Sequence, residues 1–391
     1  MSMKFVSVGI DLGNSMLKAV KEVSGKKVRV KVPNRIQYDK AINPKAKKVE
    51  FDGNTIFVGV GELNNNVQKH SRKHLLEQTF VMINELYPNE SELKVDLRLG
   101  LPPIQYFNDS YKSNFASMFP VGKQFEFTID GIAKKVTFVS LEIFVEGYSA
   151  FVSNIESIGD NKQDILSIDV GGGTTDICSF SYDYDDEMYY PNDTLTIPKG
   201  VIDYGLEIAK HFNEVENADI SSKYIDSLLK NNIEEIEYKG KKYKLENYLS
   251  SIDPIVYDTT NKITNKFGEL DRYIVVGVGG GYKTYNRIIK DRIASEIELD
   301  EDSQFFGNAE GYLEQFGFMV KQSSVELTEN YEVRKIILTV AEKEARDTEG
   351  IFVEQGKAQG SQIVLDELKQ KLVQYYGAEE EQIQISYGGE R

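Results

Sequence analysis

Residues 166–180 read LSIDVGGGTTDICSF. An apolar, β-branched run enters Asp169, passes Gly171, Gly172 and Gly173, then Thr174, Thr175 and a second aspartate, before turning apolar again. The pattern predicts two buried strands joined by a hairpin of nearly bare backbone. With no Cβ in the way, backbone N–H groups can converge on one oxyanion, and the two threonine hydroxyls add donors. Such a turn suits phosphate. Residues 9–18, GIDLGNSMLK, repeat the arrangement: Asp11 ends a strand, Gly13 opens the turn, and Asn14 and Ser15 supply the polar side chains.

Either turn alone is an ordinary glycine hairpin. A third signal changes the reading. In VVGVGGGYKTYNRIIKD, residues 275–291, a buried strand runs through Gly279, Gly280 and Gly281 into a helix opened by Tyr282. Bare backbone there can pack against a flat purine and its ribose. Asp11 and Asp169, ending their strands on opposite sides of a cleft, form a carboxylate pair of the kind that holds Mg²⁺ through its water shell. Lys18, returning on the second strand, adds a point charge for the phosphates.

The rest of the chain reads as two copies of one α/β unit. KFVSVGIDLGN, MLKAVKEV and KKVRVKVPN alternate as a three-stranded meander. NNVQKHSRKHLLEQTFVMINEL has helical spacing, KVDLRLGLPP reads as a strand ended by prolines, and SYKSNFASMF as a helix. KQFEFTIDGIAKKVTFVSLEIFV is a hairpin turning near Asp130 and Gly131, followed by the helix EGYSAFVSNIESI. Strand, turn and strand begin again at Ile165, then a helix around Tyr204 and a mostly helical stretch to Lys266. At 391 residues the chain exceeds the roughly 250–300 residues at which a single core stops growing, so two lobes are expected.

No run approaches the roughly 18 apolar residues of a membrane span, and the opening MSMKFVSVGIDLGNS lacks a signal-peptide layout. A cytoplasmic protein with no membrane partner is expected. The net charge of −16 opposes direct binding to a nucleic-acid backbone. Between Lys18 and Lys48 there are eleven Lys or Arg against only Glu22 and Asp39, whereas acids dominate after residue 295. The basic run reads either as a solvated face or as a contact surface, for a head-to-tail copy or an acidic partner. Cys178, the single cysteine, reads as a small buried hydrophobe. His70 and His74 have the i, i+4 spacing a metal uses, but Ser71 stands where the zinc-protease pattern needs Glu, so a solvated helix is expected. YDYDDEMYY, residues 182–190, lacks calcium-loop spacing and reads as an exposed hairpin tip.

Taken together, GIDLGNSMLK, SIDVGGGTTD, VVGVGGGYKTY, FVEGYSAFVSN at 144–154 and FFGNAEGYLEQFG at 305–317 resemble the five motifs of the actin, heat-shock chaperone and hexokinase superfamily. Within it the chain most resembles bacterial actin-like plasmid-segregation ATPases of the ParM type. The resemblance implies a duplicated fold with two lobes around a nucleotide cleft: lobe I over 1–155 with an inserted subdomain at about 31–92, lobe II over 156–321 with one at about 204–273, and a mainly helical C-terminal extension over 322–391. It implies ATP, or GTP, with Mg²⁺. By similarity, Asp11 and Asp169 would serve the metal; Gly13, Asn14, Ser15 and Lys18 would contact the β- and γ-phosphates; and Gly171, Gly172, Gly173, Thr174 and Thr175 would close on the γ-phosphate. Gly279, Gly280, Gly281 and Tyr282 would hold the adenosine. Glu146 would orient the hydrolytic water, with Asp169 helping to place it; Glu142 is the rival, and Ala150 suits a close helix crossing beside Glu146.

Three functions fit such a chain. The first is a filament that assembles on ATP, disassembles after hydrolysis and moves DNA through a DNA-binding adaptor, touching no nucleic acid itself. A small-molecule kinase would need a sugar-binding constellation, and none is evident. A chaperone-like ATPase would need a substrate-binding β-domain after the core. The tail segment GSQIVLDELKQKLVQYYG, residues 360–377, has instead a helical apolar face.

Overall fold

The computed structural model describes residues 4–64, 66–152, 162–184, 188–230, 233–297, 299–322, 337–340, 351–355 and 383–387. Lobe I contains β1 (Lys4–Leu12), β2 (Met16–Val23), β3 (Lys26–Pro33), β4 (Arg35–Gln37), β5 (Lys47–Phe51), β6 (Asn54–Val58) and β7 (Glu62–Leu63). It continues through α1 (Leu75–Leu86), β8 (Glu92–Leu101), α2 (Pro103–Tyr106), α3 (Asp109–Ser117), β9 (Gln124–Ile129), β10 (Ile132–Val145) and α4 (Tyr148–Val152). Lobe II opens with β11 (Ile165–Val170), β12 (Thr175–Asp183), β13 (Met188–Ile197), α5 (Val201–Glu216) and α6 (Ser222–Lys230). It goes on through β14 (Glu235–Tyr238), β15 (Lys241–Lys244), α7 (Asp253–Phe267), β16 (Ile274–Val278), α8 (Tyr282–Ile289) and β17 (Ser295–Ile297). The long helix α9 (Glu301–Gln322) then returns across the first sheet, with Gly9 of β1 against Ala309 and Gly100 of β8 against Tyr312.

The duplication is visible in the strand order. Half of the first sheet runs β3-β2-β1-β8-β10, and the second sheet runs β13-β12-β11-β16-β17. In both, a meander pairs antiparallel and its first strand then pairs parallel with the next, β1 with β8 and β11 with β16. Central strands buried on both faces need unbroken apolar runs, which is why β11 (ILSIDV) and β16 (IVVGV) are buried throughout. The long β10 carries the first sheet outward: β9 pairs with β5, and β6, β4 and β7 follow. Its hairpin with β9 turns at Asp130 and Gly131, both left-handed with φ of 52° and 81°, the conformation a type I′ turn needs. Cys178 is buried beside Phe151 and Phe180, as a small hydrophobe would be.

Several elements differ from the sequence reading. The helix expected across NNVQKHSRKHLLEQTFVMINEL is two pieces, a 3₁₀ turn at Lys69–Ser71 and α1, which begins only at Leu75. His74 between them is left-handed, with φ 61°. His70 and His74 therefore do not share a solvated helix face. His70 stacks on Tyr111 at 3.9 Å, while His74 pairs with Glu77 at 2.9 Å. The mostly helical stretch to Lys266 hides the β14–β15 hairpin, whose short, charged strands turn at Lys239 and Gly240.

The basic run between Lys18 and Lys48 is largely spent within the molecule, not left as a free surface. Lys27 reaches Glu310 and Glu314, and Arg29 reaches Glu310, all on α9. Lys47 pairs with Glu85, Lys48 with Glu50 and Lys18 with Asp11. Opposite charges separated in sequence thus meet in one copy. Beyond α9 the described residues are strands, Ile337–Val340, Ile351–Gln355 and Ile383–Tyr387, in one small sheet. The helix expected over residues 360–377, the centre of the tip at 185–187 and the part of EGYSAFVSNIESI after Val152 lie outside the described residues.

Candidate nucleotide cleft

The two glycine hairpins meet tip to tip between the sheets. At the first, Asp11 and Lys18 face each other in register, and Lys18 Nζ lies 3.0 Å from Asp11 Oδ2. A Cβ on Gly13 would come within 2.5 Å of the Met16 carbonyl, so the tight turn requires glycine there. At the second, Asp169 faces Asp176 in register and Gly171 N–H closes the turn on the Thr174 carbonyl. A Cβ on Gly172 would stand 2.5 Å from Ser15 Cβ, and one on Gly173 2.9 Å from Asn14 Nδ2. Larger residues would push the tips apart. Ser15 Oγ is buried and has no hydrogen-bond partner among the described residues.

Beneath the tips lies a cavity of about 210 Å³, lined among others by Asp11, Lys18, Lys69, Glu146, Asp169 and Asp176. Burial pushes the Asp11 carboxyl up, but Lys18 and Lys69 outweigh it and hold Asp11 below the ordinary aspartate value. Asp169 goes the other way: burial dominates, Lys18 offsets only part of it, and the carboxyl titrates high. Burial raises Glu146 to about 6 against the pull of Lys69, and lifts Asp176 well above the usual range, with Glu146 adding to it. Thr174 and Thr196 donate to the two oxygens of Asp176 at 2.8 and 2.7 Å.

Two long elements fix these groups. Glu146 follows β10 directly, and its N–H donates to the Leu101 carbonyl at the end of β8. Helix α9 crosses α4 so closely that a Cβ on Gly311 would stand 1.7 Å from the Ser149 carbonyl oxygen. The close crossing expected at Ala150 thus falls one residue earlier, while Ala150 packs among lobe II apolar residues. From α9, Asn308 donates to Asp169 Oδ2 and accepts from Gly147 N–H at 3.0 Å. One side chain ties the two lobes.

Of the residues singled out from sequence, Gly13, Asn14, Ser15, Gly171, Gly172, Thr174, Gly279 and Gly280 also line the cavity. Four others do not. Gly173 faces Asn14, and Thr175 is fully buried with its hydroxyl donated to the Lys199 carbonyl. Gly281 packs on Val201 and Val170, and Tyr282 lies in the lobe II core with its ring under Gly277. The tyrosine belongs to α8, whose buried face (Tyr282, Tyr285, Ile289) is set by helical spacing, so its ring turns inward. Glu142 is off the cavity, beside Arg98, whereas Glu146 lines it.

Sequence reasoning missed Lys69, Arg72, Asn308 and Phe305. Arg72 donates to the Leu12 carbonyl at 2.7 Å and to Asn14 Oδ1, holding the first tip from behind. Phe305 packs over Gly280, with Lys18 and Lys31 at 4.8 and 5.0 Å from its ring. Phe305 and Asn308 both stand in the quoted FFGNAEGYLEQFG run, which marks the helix but assigns neither residue a role. Among the described residues no three His, Cys, Asp or Glu side chains cluster as a metal cage. The carboxylates and the unpartnered Ser15 hydroxyl fit a Mg²⁺ that draws most of its oxygens from phosphate and water.

Residues 9–148 match the family model described as actin like proteins N terminal domain. Several solved structures share the architecture over four-fifths of the chain. An archaeal actin homolog, Ta0583, in complex with ADP superposes with TM-score 0.65 at 19% identity, covering 80% of this chain and 99% of that one. The fold is actin-like. A 15-stranded ParM filament from Clostridium botulinum gives TM-score 0.63 at 20% identity, covering 81% of this chain and 100% of that one. The Alp12 filament gives 0.53 at 17% identity, covering 81% and 100%. No curated protein matches the sequence. The ParM-type resemblance carried by the five motifs agrees with this actin-like architecture. No helix among the described residues is long and apolar enough to cross a membrane.

Proposed function

We propose that this actin-like chain is a cytoplasmic ATPase that binds ATP with Mg²⁺ between its lobes, assembles into filaments on binding, and disassembles after hydrolysis. Filaments of this kind would segregate plasmid DNA through a DNA-binding adaptor. One observation carries the nucleotide reading: two glycine hairpins touch tip to tip, Gly172 against Ser15, above carboxylates from both lobes. In that reading, lobe I (residues 1–155) and lobe II (156–321) each contribute one jaw, with residues 322–391 appended. Gly13, Asn14, Ser15, Gly171, Gly172 and Thr174 bind phosphate oxygens, and Lys18 adds a cation. Asp11 and Asp169 hold the hydrated metal, which when bound neutralises phosphate charge. Glu146 accepts a hydrogen bond from the attacking water and polarises it. Gly279 and Gly280 leave room for the nucleoside beside Phe305.

Filament formation follows from closure. Jaws that grip a nucleotide change the angle between lobes, and a neighbour touching both lobes senses that angle. The ADP-bound archaeal homolog and the ParM and Alp12 filaments share this fold and support the reading. Sedimentation of the purified protein with and without ATP and Mg²⁺ tests it: ATP-dependent pelleting is the expected result. A protein that binds no nucleotide, or binds it and stays monomeric at micromolar concentration, removes the filament function.

A further inference from the structure

Lys69 is the least expected residue in the cleft. A lysine 1% exposed is rare, because removing an ammonium from water costs several kcal/mol unless its partners repay it. Here three elements supply oxygens to Nζ. Glu146 Oε1, beyond β10, is in direct contact; Asp11 Oδ1, on β1, and the Gly100 carbonyl, on β8, each lie at 3.5 Å. The other Asp11 oxygen is taken by Lys18. Two carboxylates that would repel each other are thus bridged by one cation, at the meeting point of three strands.

The segment delivering Lys69 is itself held firmly. Arg72, three residues on, donates to the Leu12 and Gly13 carbonyls and to Asn66 O. Gln105 of α2 donates to the Val67 carbonyl at 2.8 Å, and the neighbouring His70 stacks on Tyr111 of α3. An apolar side chain of similar volume in place of a buried ion pair is often neutral or stabilising, so stability alone does not account for a lysine here.

We propose that Lys69 is a positioning residue: its ammonium fixes the Glu146 carboxylate in the orientation from which it polarises water and offsets its repulsion with Asp11. This rests on the nucleotide reading of the cleft. Lys69 reaches Glu146 and Asp11 from below the hairpin tips and acts through those carboxylates, so its loss lowers the rate of the hydrolytic step more than it weakens nucleotide binding.

The test is a double-mutant cycle on the full-length protein with Lys69→Met, Glu146→Gln and the pair, measuring ATP affinity with Mg²⁺ by calorimetry and single-turnover hydrolysis. Lys69→Met is expected to slow hydrolysis at least tenfold while changing affinity less than about threefold. In the Glu146→Gln background it should slow hydrolysis less than about twofold further, because the group it positions is already gone. Circular dichroism checks folding, and Lys69→Arg, which keeps the charge, runs through the same cycle and should retain more activity than Lys69→Met. Additive losses in the two backgrounds, or affinity falling as much as rate, overturn the positioning role with the nucleotide reading intact. Wild-type protein that binds no ATP overturns both.

Discussion

The two glycine hairpins have almost the same sequence logic and opposite electrostatics. At the first, Asp11 sits between Lys18 and Lys69 and is held ionised below its ordinary value. At the second, Asp169 has Asn308 as its hydrogen-bond donor, faces Asp176 across the strand pair and titrates above its ordinary value. The first tip is also gripped from behind, by Arg72 and by Asn34, which donates to the Gly13 carbonyl at 2.7 Å. The second is nearly bare backbone, packed on the first and held by backbone instead of charge: the N–H groups of Val201 and Ile202 donate to the Gly171 and Gly172 carbonyls at 3.1 and 2.9 Å. A duplicated fold has kept its geometry and divided its chemistry: the first hairpin carries the buried cations, and the second sets a raised-pKa carboxylate and glycine backbone against it.

If that division holds, the largest effect on turnover comes from the carboxylate tied to the charged side. Glu146→Ala should slow ATP hydrolysis by about 10²–10⁴, the usual worth of a positioned base, while nucleotide binding and assembly persist and polymer lives longer. Glu142→Ala, off the cavity, should leave turnover unchanged. Phosphate release assays on both variants decide it, and the reverse pattern would place the water-polarising group on β10.

Stability separates the two aspartates next. Asp11→Ala leaves Lys18 and Lys69 buried without their shared partner and should cost about 3–5 kcal/mol. Asp169→Ala strands one amide donor, from Asn308, and should cost about 1–3 kcal/mol. Asp169→Ala should nonetheless lower hydrolysis at least tenfold, about 1.4 kcal/mol in barrier. Urea unfolding of both variants beside turnover checks the pair; equal stability losses would break the asymmetry between the hairpins.

The pH dependence carries the same contrast with opposite signs. Because Asp11 titrates below 3.8 when folded, its contribution to stability is complete above that value and fades as pH falls through the folded pKa. Asp169 titrates above 3.8 when folded, so the native state holds its proton more tightly than the unfolded chain does. Its contribution is complete below 3.8 and is lost as pH rises through the folded pKa. Asp169→Asn, which keeps an acceptor for Asn308 and removes the charge, should match the wild type near pH 4 and exceed it in urea midpoint at pH 7. A variant weaker at pH 7 than at pH 4, relative to wild type, would show that the ionised form is the stabilised one.

Much of this was legible in sequence because it rests on periodicity and on glycine. The meander strands, the Asp130–Gly131 turn and the hairpin tips follow from alternation and from positions where a Cβ has no room, and both leave local marks. Lys69 and Arg72 leave none, and Asn308 is marked only as part of the 305–317 motif, with no role of its own. They are polar residues in a charged loop and a long helix, and they acquire their roles only when three strands and two lobes converge. The same long-range geometry absorbed the basic run: Lys27 and Arg29 find Glu310 nearly three hundred residues away, a pairing no local pattern encodes.

The smallest effects test the proposed nucleoside end, where only part of the sequence motif lines the cavity. Gly280 and Tyr282 are two residues apart in the same glycine-rich turn, yet only Gly280 lines the cavity. A Cβ on Gly280 would stand 3.2 Å from the Phe305 ring, a contact tight enough to displace the ring or narrow the space beside it. Gly280→Ala should therefore weaken ATP binding severalfold, on the order of 1 kcal/mol, the scale of a single added methyl in a packed site. Tyr282 lies 1% exposed in the lobe II core. Tyr282→Phe keeps the ring that fills the space under Gly277 and removes a hydroxyl away from the cleft, so affinity should change less than about twofold, within the spread of a neutral substitution. Calorimetry with ATP and Mg²⁺ on both variants reads the difference directly. A tyrosine variant that binds more weakly than the glycine one would mean that Tyr282 leaves the core to meet the base, and that lobe II rearranges on binding beyond the closing of its jaw.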